Sequence, residues 1–161
     1  MADMASLEKR IELLEEECRR LSDIEAIKKL RHRYWRCVRE RLWDDLIDCY
    51  ARDAVADFGN DLQFDGKEAI SKFYRDSVSL GTGTLVPQGH NPELQITGDK
   101  TATGIWVMDL LMFDAGADAG TRTGILYDEE YVKEEGDWKI RNQKVSYKYR
   151  QAVRMEELIV D

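Results

Sequence analysis

His90 and Asp109 sit on two neighbouring strand-like runs within Pro87–Phe113, joined by the turn signal Thr97-Gly98-Asp99-Lys100. A histidine held by a carboxylate is a tuned general base, because the carboxylate fixes the imidazole's tautomer and orientation. Strand period two puts His90, Pro92, Leu94 and Ile96 on one face, and the apolar Leu94 and Ile96 turn that face inward. On the next strand Ile105, Val107, Asp109, Leu111 and Phe113 share one face, and Trp106, Met108, Leu110 and Met112 the other. Both faces are apolar, so both are expected to be covered and Asp109 buried. A buried carboxylate must be paired, and His90 is the partner in reach. The plainer alternative is a structural histidine, with Asp109 paired to an arginine or lysine across an interface. A third group joins from a helix, where Ile24, Ile27, Leu30, Tyr34, Cys37 and Val38 share a face. An inward tyrosine hydroxyl needs a partner. Tyr34 is therefore either a satisfied structural tyrosine or a donor to developing oxyanion charge.

Composition narrows the chemistry. The chain has 161 residues and a net charge of -8, with 24 basic against 32 acidic side chains. That size suits one domain with a real core. The acidic balance argues against nucleic acid and against an anionic membrane surface as partners. No run approaches the ~20 apolar residues of a bilayer span, and the first residues do not resemble a secretory signal. The three cysteines, Cys18, Cys37 and Cys49, fall on helix-like segments without C-x-x-C spacing. They are expected as reduced core thiols in a cytoplasmic protein. No metal and no cofactor is expected, and no G-x-S-x-G elbow or phosphate loop appears.

The elements that must position these groups follow in order. Leu7, Ile11, Leu14, Cys18 and Leu21 form a heptad seam, expected to lie on the chain's own domain or on a partner subunit. Ser22-Asp23-Ile24-Glu25 matches a capping box and predicts a second helix over about residues 23–41. A short helix follows from Trp43, with Asp44 as its N-cap. Two short strands flank Gly59-Asn60-Asp61, and a third helix starts near Lys67. Four long strands then predict an antiparallel meander, with turns at 97–100 and 134–137. The fold class is α+β in one domain: an N-terminal helix over 1–21, the α+β body over 22–153 and a tail over 154–161.

Several runs resemble the SnoaL-like branch of the nuclear transport factor two-like superfamily, which includes scytalone dehydratase and bile-acid dehydratases. They are D-I-E-A-I-K-K-L-R-H-R-Y-W-R-C (23–37), L-W-D-D-L (42–46), G-H-N-P-E-L (89–94), A-T-G-I-W (102–106) and Y-D-E-E-Y-V-K-E-E-G-D-W-K-I (127–140). The resemblance implies a cone, a curved antiparallel sheet packed on about three helices around a deep pocket. It implies Tyr34, His90 and Asp109 as catalytic residues. Arg39 stands where such dehydratases carry an aspartate paired with the histidine. Phe58 stands for a pocket tyrosine, and Tyr147 for a last-strand arginine. Arg39, Phe58, Trp106, Tyr127 and Tyr147 are the expected substrate contacts. The implied activity is a cofactor-independent, dehydratase-like lyase on a small hydrophobic hydroxylated aromatic, polyketide-like or steroid-like substrate. The alternatives are a carbon–carbon lyase releasing formaldehyde from an arylpropanediol, an isomerase or cyclase, and a non-catalytic ligand-binding or scaffold domain. A homo-oligomer, dimer or trimer, is expected.

Overall fold

A computed structural model describes residues 2–114 and 119–154. The chain opens with one continuous helix, α1 (Ala2–Glu40), and the short α2 (Trp43–Ile47). Strands β1 (Tyr50–Asp57) and β2 (Gln63–Asp65) follow, then α3 (Lys67–Asp76) and a 3-10 turn at Val78–Leu80. Four long strands complete it: β3 (Thr84–Gly98), β4 (Thr101–Asp114), β5 (Ala119–Glu134) and β6 (Asp137–Arg154). The sheet order is β2-β1-β6-β5-β4-β3. The last four strands form the expected antiparallel meander, and β1 joins β6 in parallel.

Two helix boundaries differ from expectation. The capping box does not restart the chain, and α1 runs through it without a break. Glu25, the glutamate of the box, and its neighbour Asp23 are engaged elsewhere. Glu25 takes a hydrogen bond from Lys28 at 2.6 Å, and the Asp23 carboxylate accepts from Lys133 Nζ at 2.6 Å and from Trp138 Nε1 at 2.9 Å. Asp44 lies inside the first turn of α2 rather than at its N-cap, and binds Arg75 at 2.6 Å. Of the three cysteines, Cys37 and Cys49 are buried and free, but Cys18 is exposed on α1. The 154–161 tail lies outside the described residues beyond Arg154, the last residue of β6.

The core fills the hollow between the concave sheet face and the second half of α1, closed from the side by α3. Ile27, Leu30, Tyr34 and Cys37 of α1 meet Trp106 and Met108 of β4, Ile125, Tyr127 and Tyr131 of β5, and Ile140 and Val145 of β6. Fully burying such side chains stabilises by about 1.5–3 kcal/mol each. This packing, rather than helix propensity, holds the second half of α1 in place.

Candidate functional site

A cavity of about 230 Å3 opens between α1, α3 and the sheet. Tyr34, Phe58, Phe73, Tyr74, Tyr127 and Tyr147 supply its aromatic walls, and Met108, Leu110, Met112 and Ile125 its sheet floor. Strand alternation explains the floor: Met108, Leu110 and Met112 of β4 face Ile125 and Thr123 of β5 and Pro87 and Leu85 of β3 across the register. Among the described lining residues Arg150 is the only charged one, and there is neither a carboxylate nor an imidazole. A wider recess of about 430 Å3, bordered by Arg41, Gly83 and Phe113, shares Val78, Leu85 and Met112 with the cavity.

The expected site residues divide between the two sheet faces. Tyr34, Phe58, Tyr127 and Tyr147 converge on the cavity. Trp106 is buried behind it, its indole N–H donating to the Tyr131 hydroxyl at 2.7 Å. His90 is exposed, which corrects the inward placement. The cause is a β-bulge: His90 pairs with Val107 but Glu93 with Ile105, so one extra residue enters β3 where Asn91 adopts φ 50°. Leu94 and Ile96 do face inward, but the bulge reverses the phase. Before it Gly89, Pro87 and Leu85 are the inward residues, and His90 and Gln88 point out.

Asp109 is corrected in the same way. It lies on the outer face opposite Gln88 and diagonal to His90. There it accepts hydrogen bonds from the Tyr149 hydroxyl and from Arg122 Nη2 at 3.1 Å. Tyr149 and Arg122 together hold its carboxyl below the usual carboxylate range. The two residues do share a face, but it is the convex one. Arg39, the remaining candidate, is solvent-exposed at the end of α1 and pairs with Glu40 at 2.8 Å.

Most of the polar groups lining the cavity belong to tyrosines. The Tyr34 and Tyr74 hydroxyls are 2.7 Å apart. Burial pushes the pKa of each upward, so both remain protonated at neutral pH. Thr123 Oγ1 and Trp35 Nε1, on two other lining residues, are buried without a hydrogen-bond partner. Such orphans carry a desolvation cost of about 1–3 kcal/mol that a polar ligand atom would relieve.

Beneath this wall lies a charge that the sequence pattern could have revealed. Arg31 is fully buried, four residues after Ile27 and three before Tyr34, on the same inward stripe. Its guanidinium is 4.5 Å from the centre of the Tyr34 ring, 4.6 Å from Trp35 and 4.7 Å from Tyr127. Glu129, alternating inward between Tyr127 and Tyr131, faces Arg31 Nη1 at 3.1 Å. The carboxylate also accepts from Gln143 Nε2 at 2.7 Å and from the Tyr131 hydroxyl. Burial pulls the Arg31 pKa down most strongly, but Glu129 together with Tyr131, Tyr34 and Tyr127 outweighs it and the net shift is upward. The guanidinium is a fixed cation behind the tyrosine wall.

A curved six-stranded sheet wrapped on a helix over an apolar, tyrosine-lined cavity defines a small-molecule-binding α+β cone. The model of the SnoaL-like domain matches residues 19–144, and the chain belongs to that family. Solved structures agree on the fold. A hexachlorocyclohexane dehydrochlorinase, LinA-type3 from Novosphingobium barchaimii, is 19% identical over 85% of this chain and 94% of its own, with a TM-score of 0.77. A putative scytalone dehydratase from Novosphingobium aromaticivorans is 13% identical over 84% of this chain and 90% of its own, with a TM-score of 0.78. A nuclear transport factor two-like protein of unknown function from Pseudomonas putida is 23% identical over 80% of this chain and 89% of its own, with a TM-score of 0.69. Among the described residues no helix is long and apolar enough to cross a membrane, and no cluster of His, Cys, Asp or Glu could hold a metal.

Proposed function

We propose that the chain is a cofactor-independent lyase of the dehydratase type, with the tyrosine-lined cavity as its active site. The observation that carries this is the Tyr34–Tyr74 hydroxyl pair, 2.7 Å apart in an otherwise apolar hollow. Cavities for drug-sized ligands usually measure about 300–1,000 Å3. At about 230 Å3 this one suits a hydroxylated compound of one or two rings better than a steroid-like one. Elimination needs a proton on the departing oxygen and a base for the neighbouring C–H. Tyr34 supplies both in turn. Its O–H proton passes to the leaving hydroxyl as the C–O bond breaks, and water departs. The tyrosinate then takes the proton from the adjacent carbon as the double bond closes, which restores Tyr34. Tyr74 donates to the tyrosinate in the interval, and Arg31, 4.5 Å from the Tyr34 ring, offsets its charge. Hydroxyls on benzylic or allylic carbons fit this chemistry best, because the adjacent ring or double bond delocalises the charge left behind.

A second reading, a non-catalytic ligand-binding domain, is favoured by the absence of carboxylate and imidazole among the described lining residues. There the orphaned Thr123 and Trp35 groups would hold the ligand's oxygen. One experiment separates the two. The protein is incubated with one- and two-ring benzylic and allylic alcohols, and products are weighed by mass spectrometry. Loss of one water, with Tyr34→Phe slower by about 10²–10⁴-fold and His90→Ala within about twofold, supports the lyase. Loss of formaldehyde would make it a carbon–carbon lyase, and unchanged mass an isomerase. Saturable binding without turnover would establish the binding domain, and full turnover by Tyr34→Phe would sink the Tyr34 mechanism.

A further inference from the structure

The first part of α1 belongs to no part of the core, which takes up the helix only from Ala26 onward. Yet this stretch carries large apolar side chains in the open. Leu7, Ile11, Leu14 and Leu21 are 46%, 54%, 62% and 50% exposed, and Met4 extends the row. With Cys18, also exposed, they occupy alternate steps of three and four residues. Met4, Ile11 and Cys18 are the a positions of a heptad, and Leu7, Leu14 and Leu21 the d positions.

The direction of this row matters as much as its spacing. At about 100° per residue, the core-facing stripe of Ile27, Leu30, Arg31, Tyr34 and Val38 centres on one side of α1. The heptad row centres roughly 170° round the same helix. It therefore points away from the chain's own body and leaves room for a second body beyond the helix it would meet.

We infer that this row pairs with the same row of a second copy, as a parallel, in-register two-stranded coiled coil. Three observations select that occupant. Leucine at every d position, with isoleucine among the a positions, suits a parallel two-stranded seam. Arg10 at g of one copy reaches Glu15 at the following e of the other, twice by symmetry. An antiparallel pair would instead set e against e, Glu8 and Glu15 among themselves, which repels. Of the other g side chains, Glu17 is engaged by Arg20 of its own helix at 2.6 Å and faces Ser22, and the short Asp3 faces Glu8 only at the start of the seam.

The arrangement brings Cys18 of each copy face to face across the seam, which gives a direct test on the full chain. Diamide, whose N=N bond accepts the two protons and two electrons released when two thiols join, is added to the reduced protein. The product is read on a non-reducing gel. Cys37 and Cys49 are buried and do not compete. A covalent pair of chains is expected, absent in Cys18→Ser. Leu14→Glu is expected to lower its yield about tenfold or more, with the circular dichroism of the body retained. Arg10→Glu is expected to lower the yield, and Arg10→Glu with Glu15→Arg to restore it. No covalent pair in the wild type, or the same yield in Leu14→Glu, would overturn the inference.

Discussion

Glu129→Gln changes almost no volume but removes one charge of the buried Arg31–Glu129 pair. Both side chains are fully buried, and the closest nitrogen–oxygen distance is 3.1 Å. At an effective dielectric constant of about 20 their attraction is about 5 kcal/mol. Desolvation of both ions offsets much of that, but a variant that removes one partner leaves the other buried and uncompensated, at about 3–5 kcal/mol. The rest of the Arg31 surroundings is aromatic, and its nitrogens have no hydrogen-bond partner to fall back on. With a urea slope of about 2 kcal/mol per molar, the unfolding midpoint should fall by about 2 M. Arg31→Leu added to Glu129→Gln removes the stranded charge, so the double variant should be more stable than Glu129→Gln alone. The assay is equilibrium urea unfolding followed by tryptophan fluorescence and circular dichroism. An unfolding free energy within about 0.5 kcal/mol of wild type for Glu129→Gln, or strict additivity in the double variant, would refute the reasoning.

Three further outcomes are expected. Five of the seven tyrosines, Tyr34, Tyr50, Tyr74, Tyr127 and Tyr131, have pKa values raised chiefly by burial. Their contribution to stability is full below the unfolded value of about 10 and is lost as pH rises through the folded values. Absorbance at 295 nm should therefore show these five ionising only as the chain unfolds. Asp109 has a lowered pKa from Tyr149 and Arg122, so its contribution is present above about pH 4 and is lost as pH falls through the folded value. Thermal unfolding of Asp109→Asn should show a smaller midpoint difference between pH 7 and pH 3 than the wild type. Gly89→Ala would bring a methyl group to 2.1 Å from the Trp35 ring. Overpacking of this kind costs about 1–3 kcal/mol, measurable by urea unfolding.

The meander was legible because its four strands alternate in sequence and end in turn chemistry such as Thr97-Gly98-Asp99-Lys100, which sits between β3 and β4 as expected. Tyr34 was legible from the helical period, and the same period contained Arg31, passed over because an arginine on an apolar stripe reads as an intruder until its carboxylate is found. That carboxylate, Glu129, is 98 residues further along the chain, and only the sheet register brings it near. The sides of His90 and Asp109 were not legible. Period two extended back from Leu94 assumes an unbroken pleat, and the Asn91 bulge breaks it. Apolar residues on both faces of β4 could not say which face held the cavity. The continuous α1 shows a related limit: a capping box satisfies a helix start only when its side chains are free to turn back, and Glu25 is held by Lys28 instead.

The Asn91 bulge makes the make-up of the cavity depend on the register of one strand, not only on its side chains. With Leu94 and Ile96 anchored in the core, removal of residue 91 would leave His90 opposite Val107 and facing out, whereas loss of the bulge with residue 91 retained would slide Thr84–His90 by one step and exchange every inward side chain for its outward neighbour. That slip would bring the imidazole to the place of Gly89, where an added Cβ already meets the Trp35 ring at 2.1 Å. In this chain the side that His90 takes is thus a matter of strand register, and Trp35, which leaves no room for a side chain at that place, holds the register against the slip.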